Sequence, residues 1–325
     1  MDLLSRLLSL TPVSGKLELR CRFGAPWAVD ETAAGAREIP YHVLLGGTAV
    51  IEDEHGPAEP LVAGDIVLFP AGSAHRIHDG SGAPPRAATR TANGSPLIVV
   101  ENGAPTPTAD FLCGRFILGA VPDHLLRDHL PSRLVVSSAA HEQTARGHTQ
   151  LARLIALMRE EADHQGPGSE TLMNHLSAAL FSLTLRFASA VSQPAHGLLA
   201  LAGRPRLQPA LSAMFERPGE QWTLEQFAAL CNMSKATFVR QFRDAIGRSA
   251  TDVLTEVRMT LAGRMLVQTA RPVADIGEAV GYQSDAAFQR VFKRLIGVTP
   301  ARWRASNGNP DGNSDGNSDG NSDGK

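Results

Sequence analysis

Polarity along the chain changes its period several times. Residues 2–10, Asp-Leu-Leu-Ser-Arg-Leu-Leu-Ser-Leu, set leucines at helical spacing, with Asp2 where a carboxylate favours the helix dipole. They predict a short amphipathic helix over an edge of the adjoining strand region. From Gly15 the period drops to two: Leu17, Leu19, Cys21 and Phe23 alternate with Glu18, Arg20 and Arg22, the pattern of a half-buried strand with Cys21 on its apolar face. Further short strands are predicted at 41–45, 48–52, 65–69, 97–101 and 111–118, separated by Gly, Pro and Asp turns. Strands at this spacing indicate an antiparallel barrel or jelly roll. After Pro122 the period becomes helical. Leu151, Leu154, Ile155 and Met158 mark a helix at 149–163, and Leu172, Leu176, Leu180, Leu183 and Phe187 another at 170–191. One face of this pair can cover the barrel and the other a second copy of itself. The expectation is a homodimer, which suits two-fold DNA sites, against purely intrachain packing.

Between Trp222 and Arg304 one pattern is made twice. Ser234-Lys-Ala-Thr-Phe238-Val-Arg240-Gln-Phe242 returns fifty positions later as Ser284-Asp-Ala-Ala-Phe288-Gln-Arg290-Val-Phe292, and each copy closes at a glycine, Gly247 and Gly297. Leu224, Phe227 and Leu230 precede the first serine at helical spacing, and Val273, Ile276 and Val280 the second. Each unit is therefore predicted as a helix, a tight turn and a second helix opening at a Ser N-cap. The paired phenylalanines share a face toward the preceding helix. The opposite face carries Lys235, Thr237, Arg240 and Arg243 in the first copy, and Asp285, Gln289, Arg290, Lys293 and Arg294 in the second. A mid-helix arginine in a major groove can read guanine by a bidentate contact, while flanking cations neutralise phosphates. Residues 249–268 predict a linking helix of about 20 residues, roughly 30 Å long, near the ~34 Å between successive major grooves on one face of B-DNA.

This tandem resembles the DNA-binding domain of the AraC/XylS transcription regulators. Arg258 and the closing Gly297-Val-Thr-Pro300-Ala-Arg-Trp303-Arg match that family's signature as well. The resemblance implies base reading from Ala236, Val239 and Arg240 in the first recognition helix, and from Asp285, Ala286 and Arg290 in the second. It implies double-stranded promoter DNA as partner, with RNA polymerase if the protein activates.

Charge sharpens the division. The formal net charge is −2, yet residues 203–305 hold 15 Lys/Arg against 9 Asp/Glu, or +6, which leaves −8 elsewhere. Four regions are expected: a sensor domain at 1–121, a helical dimerisation and linker region at 122–202, a DNA-binding domain at 203–305 and a disordered tail at 306–325 that repeats Asp-Gly-Asn-Ser. The fold class is α+β, a barrel with a helical segment followed by an all-α double helix-turn-helix. No apolar run reaches the ~18 residues of a membrane span, and no basic start precedes an apolar core, so a cytoplasmic protein without a membrane partner is expected.

Within the first region, Gly64-Asp-Ile-Val-Leu-Phe-Pro70-Ala-Gly72-Ser-Ala-His75 has the spacing of the second motif of the cupin barrels, with Asp79 where those usually have Asn. Their first motif survives only as His42. A metal enzyme of this type needs three or four ligands with an open position. His42 and His75, with His78 as a third candidate, are the residues available, so either a metal in the barrel or hydrogen-bonded histidines without a cofactor is open. An enzyme is not expected.

The three cysteines fall into two classes. Cys231 lies in a helix-turn-helix turn where Gly281 stands in the second copy, and reads as a small filler. Cys21 and Cys113 both lie on predicted strands and, if those strands are neighbours, their α-carbons can come within the ~4.4–6.8 Å of a disulfide. The opening residues, Cys21 with Trp27, His42, Ser73-Ala-His75-Arg76 and Cys113-Gly-Arg-Phe resemble a cupin-type subgroup of the AraC/XylS family that includes a reactive-chlorine-responsive activator. That resemblance implies an oxidant sensor in which Cys21 and Cys113 are the reactive pair. The alternatives are a small organic effector or metal bound in the barrel, or buried structural thiols.

Overall fold

The computed structural model describes residues 2–92, 97–119, 122, 124–127, 130–138, 145–164, 166–191 and 204–308. The linker expected at 192–205 and the Asp-Gly-Asn-Ser tail lie outside them except at their inner ends. After α1 (Leu3–Leu10), capped by the Asp2 carboxylate on the Ser5 N–H, come ten strands: β1 (Val13–Phe23), β2 (Ala28–Glu31), β3 (Glu38–Asp53), β4 (Gly56–Val62), β5 (Asp65–Leu68), β6 (His75–His78), β7 (Thr89–Thr91), β8 (Ile98–Glu101), β9 (Ala109–Leu118) and β10 (Leu134–Ser137). The order β10-β5-β3-β9-β1-β8-β7 forms the main path, with β4 and β6 on β3 and β2 on β6. Only the β1–β8 pair among the described ladders is parallel.

The sequence predicts two strands where the chain makes the single strand β3. The Gly46-Gly47 pair looks like a turn but is a bulge: Gly47 has φ +83°, the register shifts between Leu44 and Gly46, and a Cβ on Gly47 would fall 1.7 Å from the Thr108 carbonyl oxygen. The bend lets the first half of β3 pair with β5 and β9 and the second half with β4 and β6. The sheet therefore curls into a cupin-like half-barrel. A second bulge, between Leu17 and Leu19, splits the apolar set expected on one face of β1: Leu17 joins the core under the helices, whereas Cys21 and Phe23, with Leu19 against them, line the inside of the curl. β10 is a further departure, a strand in a stretch expected to be helical.

Helices α2 (His124–Arg127), α3 (Ala145–His164) and α4 (Ser169–Val191) follow. α4 buries Leu180, Phe181 and Leu185 on the outer face of the sheet, where Phe181 meets Phe116 at 4.8 Å between centroids and Phe116 stacks on Tyr41 at 4.3 Å. Arg20, expected on the polar face of its strand, is 4% exposed, because Asp163 near the end of α3 folds over it.

The C-terminal half contains α5 (Gln208–Glu216), α6 (Leu224–Leu230), α7 (Lys235–Ile246), α8 (Ala250–Gln268), α9 (Val273–Ala279), α10 (Asp285–Ile296) and α11 (Pro300–Asn307). Local signals set these limits. Thr223 and Gln226 form a capping box on α6, Ser234 and Ser284 cap α7 and α10, and Gly247 and Gly297 end those helices in the left-handed region. Phe238, Phe242, Phe288 and Phe292 are fully buried. α8 is buried at both ends: Val253, Leu254 and Val257 belong to the core shared with the first unit, and Met259, Ala262 and Leu266 to the core of the second. Midway, the Arg258 guanidinium donates to the carbonyls of Pro218 and Glu220, both at 2.7 Å, and lies over the Tyr282 ring, tying the loop before the first unit to the turn of the second.

The two halves touch through α1 and the residues around α2. Rather than covering a sheet edge as expected, α1 packs against α4, α5 and α8. Arg6 pairs with Glu216, and Arg264 donates to the Ser9 carbonyl at 2.7 Å. Pro122 seats on α8 at Gly263, where a Cβ would lie 2.3 Å from its ring, and its carbonyl accepts from Thr260 at 3.5 Å.

Candidate nucleic-acid interface and thiol centre

The exposed face of α7 carries Lys235, Ala236, Val239, Arg240 and Arg243, and that of α10 carries Asp285, Ala286, Gln289, Arg290, Lys293 and Arg294. Thr237 is half-buried, its hydroxyl 2.9 Å from Ser234 Oγ at the cap. Within each helix the phenylalanines occupy the inward positions, so the arginines between and beside them are forced outward. Arg240, Arg243, Arg290, Lys293 and Arg294 make no ion pair within the described residues, while Lys235 is held by Glu225 at 2.7 Å and Gln289 donates to Asp285 at 2.8 Å. The two helices thus offer unpaired cations and, at Val239, a 40% exposed methyl-bearing side chain suited to a thymine methyl. α8, 19 residues at about 1.5 Å each, holds them apart by roughly 28 Å of helix.

Inside the curl, β9 lies between β1 and β3. Cys113 stands opposite Leu19 on β1 and opposite His42 on β3, with Cys21 one pleat further along β1. The two thiols lie close enough to interact across the cleft that both line, and both are free. The sequence could place each cysteine on a strand but not these strands side by side, which is a matter of non-local register. The cleft they line, about 40 Å³ in volume, lies between Phe23, Trp27, Phe111 and Val100, with Glu31 and Arg90 among its polar residues. The contact with Cys21 and burial push the Cys113 thiol well up, so it rests protonated. Burial also raises the Glu31 carboxyl, against the pull of Arg115 and Arg90.

His42 and His75 come together at this centre. His42 Nδ1 is 3.0 Å from Cys113 Sγ, His42 Nε2 is 2.7 Å from His75 Nε2, and His75 Nδ1 donates to the Ser73 carbonyl at 2.9 Å. Phe69 stacks on His75 at 3.7 Å. Burial, and for His42 the neighbouring His75, lowers both imidazoles from their ordinary value. As a metal centre this set does not fit: both His42 nitrogens already have partners, and no group of three or more His, Cys, Asp or Glu among the described residues could hold an ion. His78 is engaged elsewhere, accepting from the Gly80 N–H and lying 3.3 Å from Glu52. Asp79 accepts from the Trp27 and Ser81 N–H groups, a loop-closing role.

Sequence reasoning missed three features. Arg20 bridges Asp110 on β9 and Asp163 on α3, and Arg22 reaches Asp163 too, so the strand bearing Cys21 is ionically tied to a helix. The alternation of β1 carries no signal for this. The direct contact of His42 with Cys113 was likewise invisible. So was the Trp27 indole N–H, buried at the cleft with no hydrogen-bond partner among the described residues.

A curled sheet carrying a thiol and histidine centre, joined to two helix-turn-helix units with unpaired arginines, defines a DNA-binding transcription regulator with an N-terminal cupin-like domain. Family profiles agree: that of Cupin matches residues 2–190 and that of the helix-turn-helix domain residues 227–306. The chain belongs to the AraC/XylS family of transcription regulators, in the branch with an N-terminal cupin domain. It is similar to the RCS-specific HTH-type transcriptional activator RclR of Escherichia coli strain K12, with 31% identity over 304 residues, 94% of this chain and 97% of that one. An uncharacterized HTH-type transcriptional regulator of Haemophilus influenzae is 29% identical over 306 residues, 94% and 99% of the two chains. Among solved structures, the C-terminal domain of AraT, a response regulator from Geobacillus stearothermophilus, covers 34% of this chain and 92% of its own at 28% identity and a TM-score of 0.32. No helix of the described residues is long and apolar enough to cross a membrane.

Proposed function

We propose that this regulator activates transcription in the cytoplasm when an oxidant of the reactive-chlorine class converts Cys21 and Cys113 to a disulfide. The observation that carries the reading is the pair of thiols side by side at the wall of a small cleft, in a chain similar to an activator whose name specifies reactive chlorine species. Crosslinking β1 to β9 moves the strand that Arg20 and Arg22 tie to α3. The disturbance then reaches α4 and, through it, α1, which contacts α5 and α8 of the DNA-binding half. Promoter DNA is read by Ala236, Val239 and Arg240 on α7, and by Asp285, Ala286 and Arg290 on α10. Lys235, Thr237, Arg243, Gln289, Lys293 and Arg294 contact the backbone or flanking bases. The protein acts as a homodimer, with the exposed Leu157 of α3 and Leu172 of α4 on the pairing surface, and recruits RNA polymerase.

The test is a promoter-reporter assay with Cys21→Ser and Cys113→Ser. Each variant is expected to lose the response to hypochlorous acid while keeping basal DNA binding, and a full response from either sinks the thiol reading. One observation favours a second reading: the unpartnered Trp27 N–H suits an acceptor-bearing apolar effector in the same cleft. A ligand-driven change in DNA affinity that persists in strong reductant distinguishes it.

A further inference from the structure

Resting on the thiol reading above, we infer that His42 is the proton acceptor for Cys113 during oxidation, and that His75 and the Ser73 carbonyl set the tautomer that lets it act.

The direction of every proton in this cluster follows from its hydrogen bonds. A carbonyl oxygen only accepts, so His75 Nδ1 carries a proton and donates it to Ser73. In the neutral ring His75 Nε2 is then bare and accepts, which puts the proton of the 2.7 Å contact on His42 Nε2. His42 Nδ1 is in turn bare, and its neighbour at 3.0 Å is Cys113 Sγ, whose S–H donates to it. Cys21 lies beyond Cys113 in the same cleft. A single polarity thus runs from Cys113 through His42 and His75 to Ser73. Both imidazoles are neutral at rest because burial lowers them, and the thiol is protonated, so the reactive thiolate has to be made at the moment of attack. The charged and titratable groups around the cluster are Glu31 from β2, Arg90 from β7, Asp110 from β9 and Asp53 at the end of β3. Asp53 favours a proton on His75, which places the outer end of the row where positive charge is best tolerated.

The chemistry balances with hypochlorous acid as oxidant. Cys113 sulfur attacks chlorine, an S–Cl bond forms, and the Cl–O bond breaks with its electron pair leaving as hydroxide. The thiol proton passes to His42 Nδ1 and on to the hydroxide, giving water. Cys21 sulfur then attacks Cys113 sulfur, the S–S bond forms, and chloride leaves with the S–Cl pair. The Cys21 proton is lost to solvent through the cleft that both thiols line. Two thiols and hypochlorous acid become a disulfide, water, chloride and a proton.

His42 and His75 are positioning and proton-transfer groups here, so the test reads pH and tautomer as well as rate. Oxidation of Cys113 in the full-length protein by hypochlorous acid is followed by mass of the Cys113 peptide, with rates corrected for the oxidant's own ionisation. His42→Asn is expected to slow the reaction about 100-fold at neutral pH and to regain it about tenfold per pH unit as hydroxide takes over. His75→Gln, which keeps the base but releases its tautomer, is expected to fall between. An unchanged His42→Asn rate overturns the inference, and so does an equal loss at every pH, which marks mere packing. Nitrogen NMR of the reduced wild-type protein needs no variant: opposite neutral tautomers, Nδ1–H for His75 and Nε2–H for His42, are expected, and any other pair overturns the assignment. A wild-type Cys113 that never oxidises sinks the thiol reading itself and this inference with it. Oxidation of wild type and of His42→Asn at equal rates sinks this inference alone.

Discussion

The two halves of the molecule handle charge in opposite ways. The sensor half buries it: Arg20, His42, Asp65 and His75 are all at or below 5% exposed, and the Trp27 N–H is buried without a partner among the described residues. The DNA-binding half keeps its cations outside on α7 and α10, although it buries Glu256 beside Arg248, and residues 203–325 contain no histidine. A buried polar cluster has discrete arrangements and responds to protons and oxidants, whereas an exposed cationic face over a phenylalanine core keeps one shape. Charge is thus placed differently in the two halves, although one core runs from the sheet into the first helix-turn-helix.

The largest effect that can test this separation is in the cores. Phe181 belongs to the core shared by the sheet and the first helix-turn-helix, and Phe292 to the smaller core of the second. Either change to alanine is expected to cost about 3–5 kcal/mol. Phe181→Ala should lower the stability of the barrel and first unit together, and Phe292→Ala should open only the second unit, as read by hydrogen exchange. Equal loss of protection across the chain in both variants breaks the division.

Next come the recognition arginines. Arg240→Ala and Arg290→Ala are each expected to weaken specific DNA binding by about 1–3 kcal/mol. Neither should alter the rate of thiol oxidation. Promoter affinity unchanged in the double variant at physiological salt removes the reading role of both helices.

The smallest effect is with pH. His42 and His75 fold with values below the ordinary 6.5. The unfolded chain therefore takes up those protons first. Stability present above about 6.5 is lost as pH falls through that value toward the depressed one. Moving from about pH 7 to 5 should lower the melting midpoint of the barrel and of the first unit that shares its core, and leave the second unit in place. His42→Gln should flatten that dependence. An equal loss in the second unit places the acid-sensitive groups elsewhere.

How much could be read beforehand depends on the range of the interactions. The helix-turn-helix units were legible almost residue by residue, because Ser caps, closing glycines and phenylalanines four apart are local signals. The curl of the sheet was not: Gly46-Gly47 has the composition of a turn, and only the partners on both sides of β3 make it a bulge. For the same reason Cys21 and Cys113 could be assigned to strands but not to neighbours. The buried Arg20 and the His42–Cys113 contact depend on α3 and on register, neither of which a pattern of period two reports.

Gly263 has one more implication. The ring of Pro122 sits against the middle of the rod that spaces the two readers, at the only kind of residue that admits it. A signal of the proposed kind that passed through this grip would act on the separation and twist between the two helix-turn-helix units, with the affinity of each left alone. Promoters with one base pair added or removed between the two contacted segments should then lose their induction more than their occupancy.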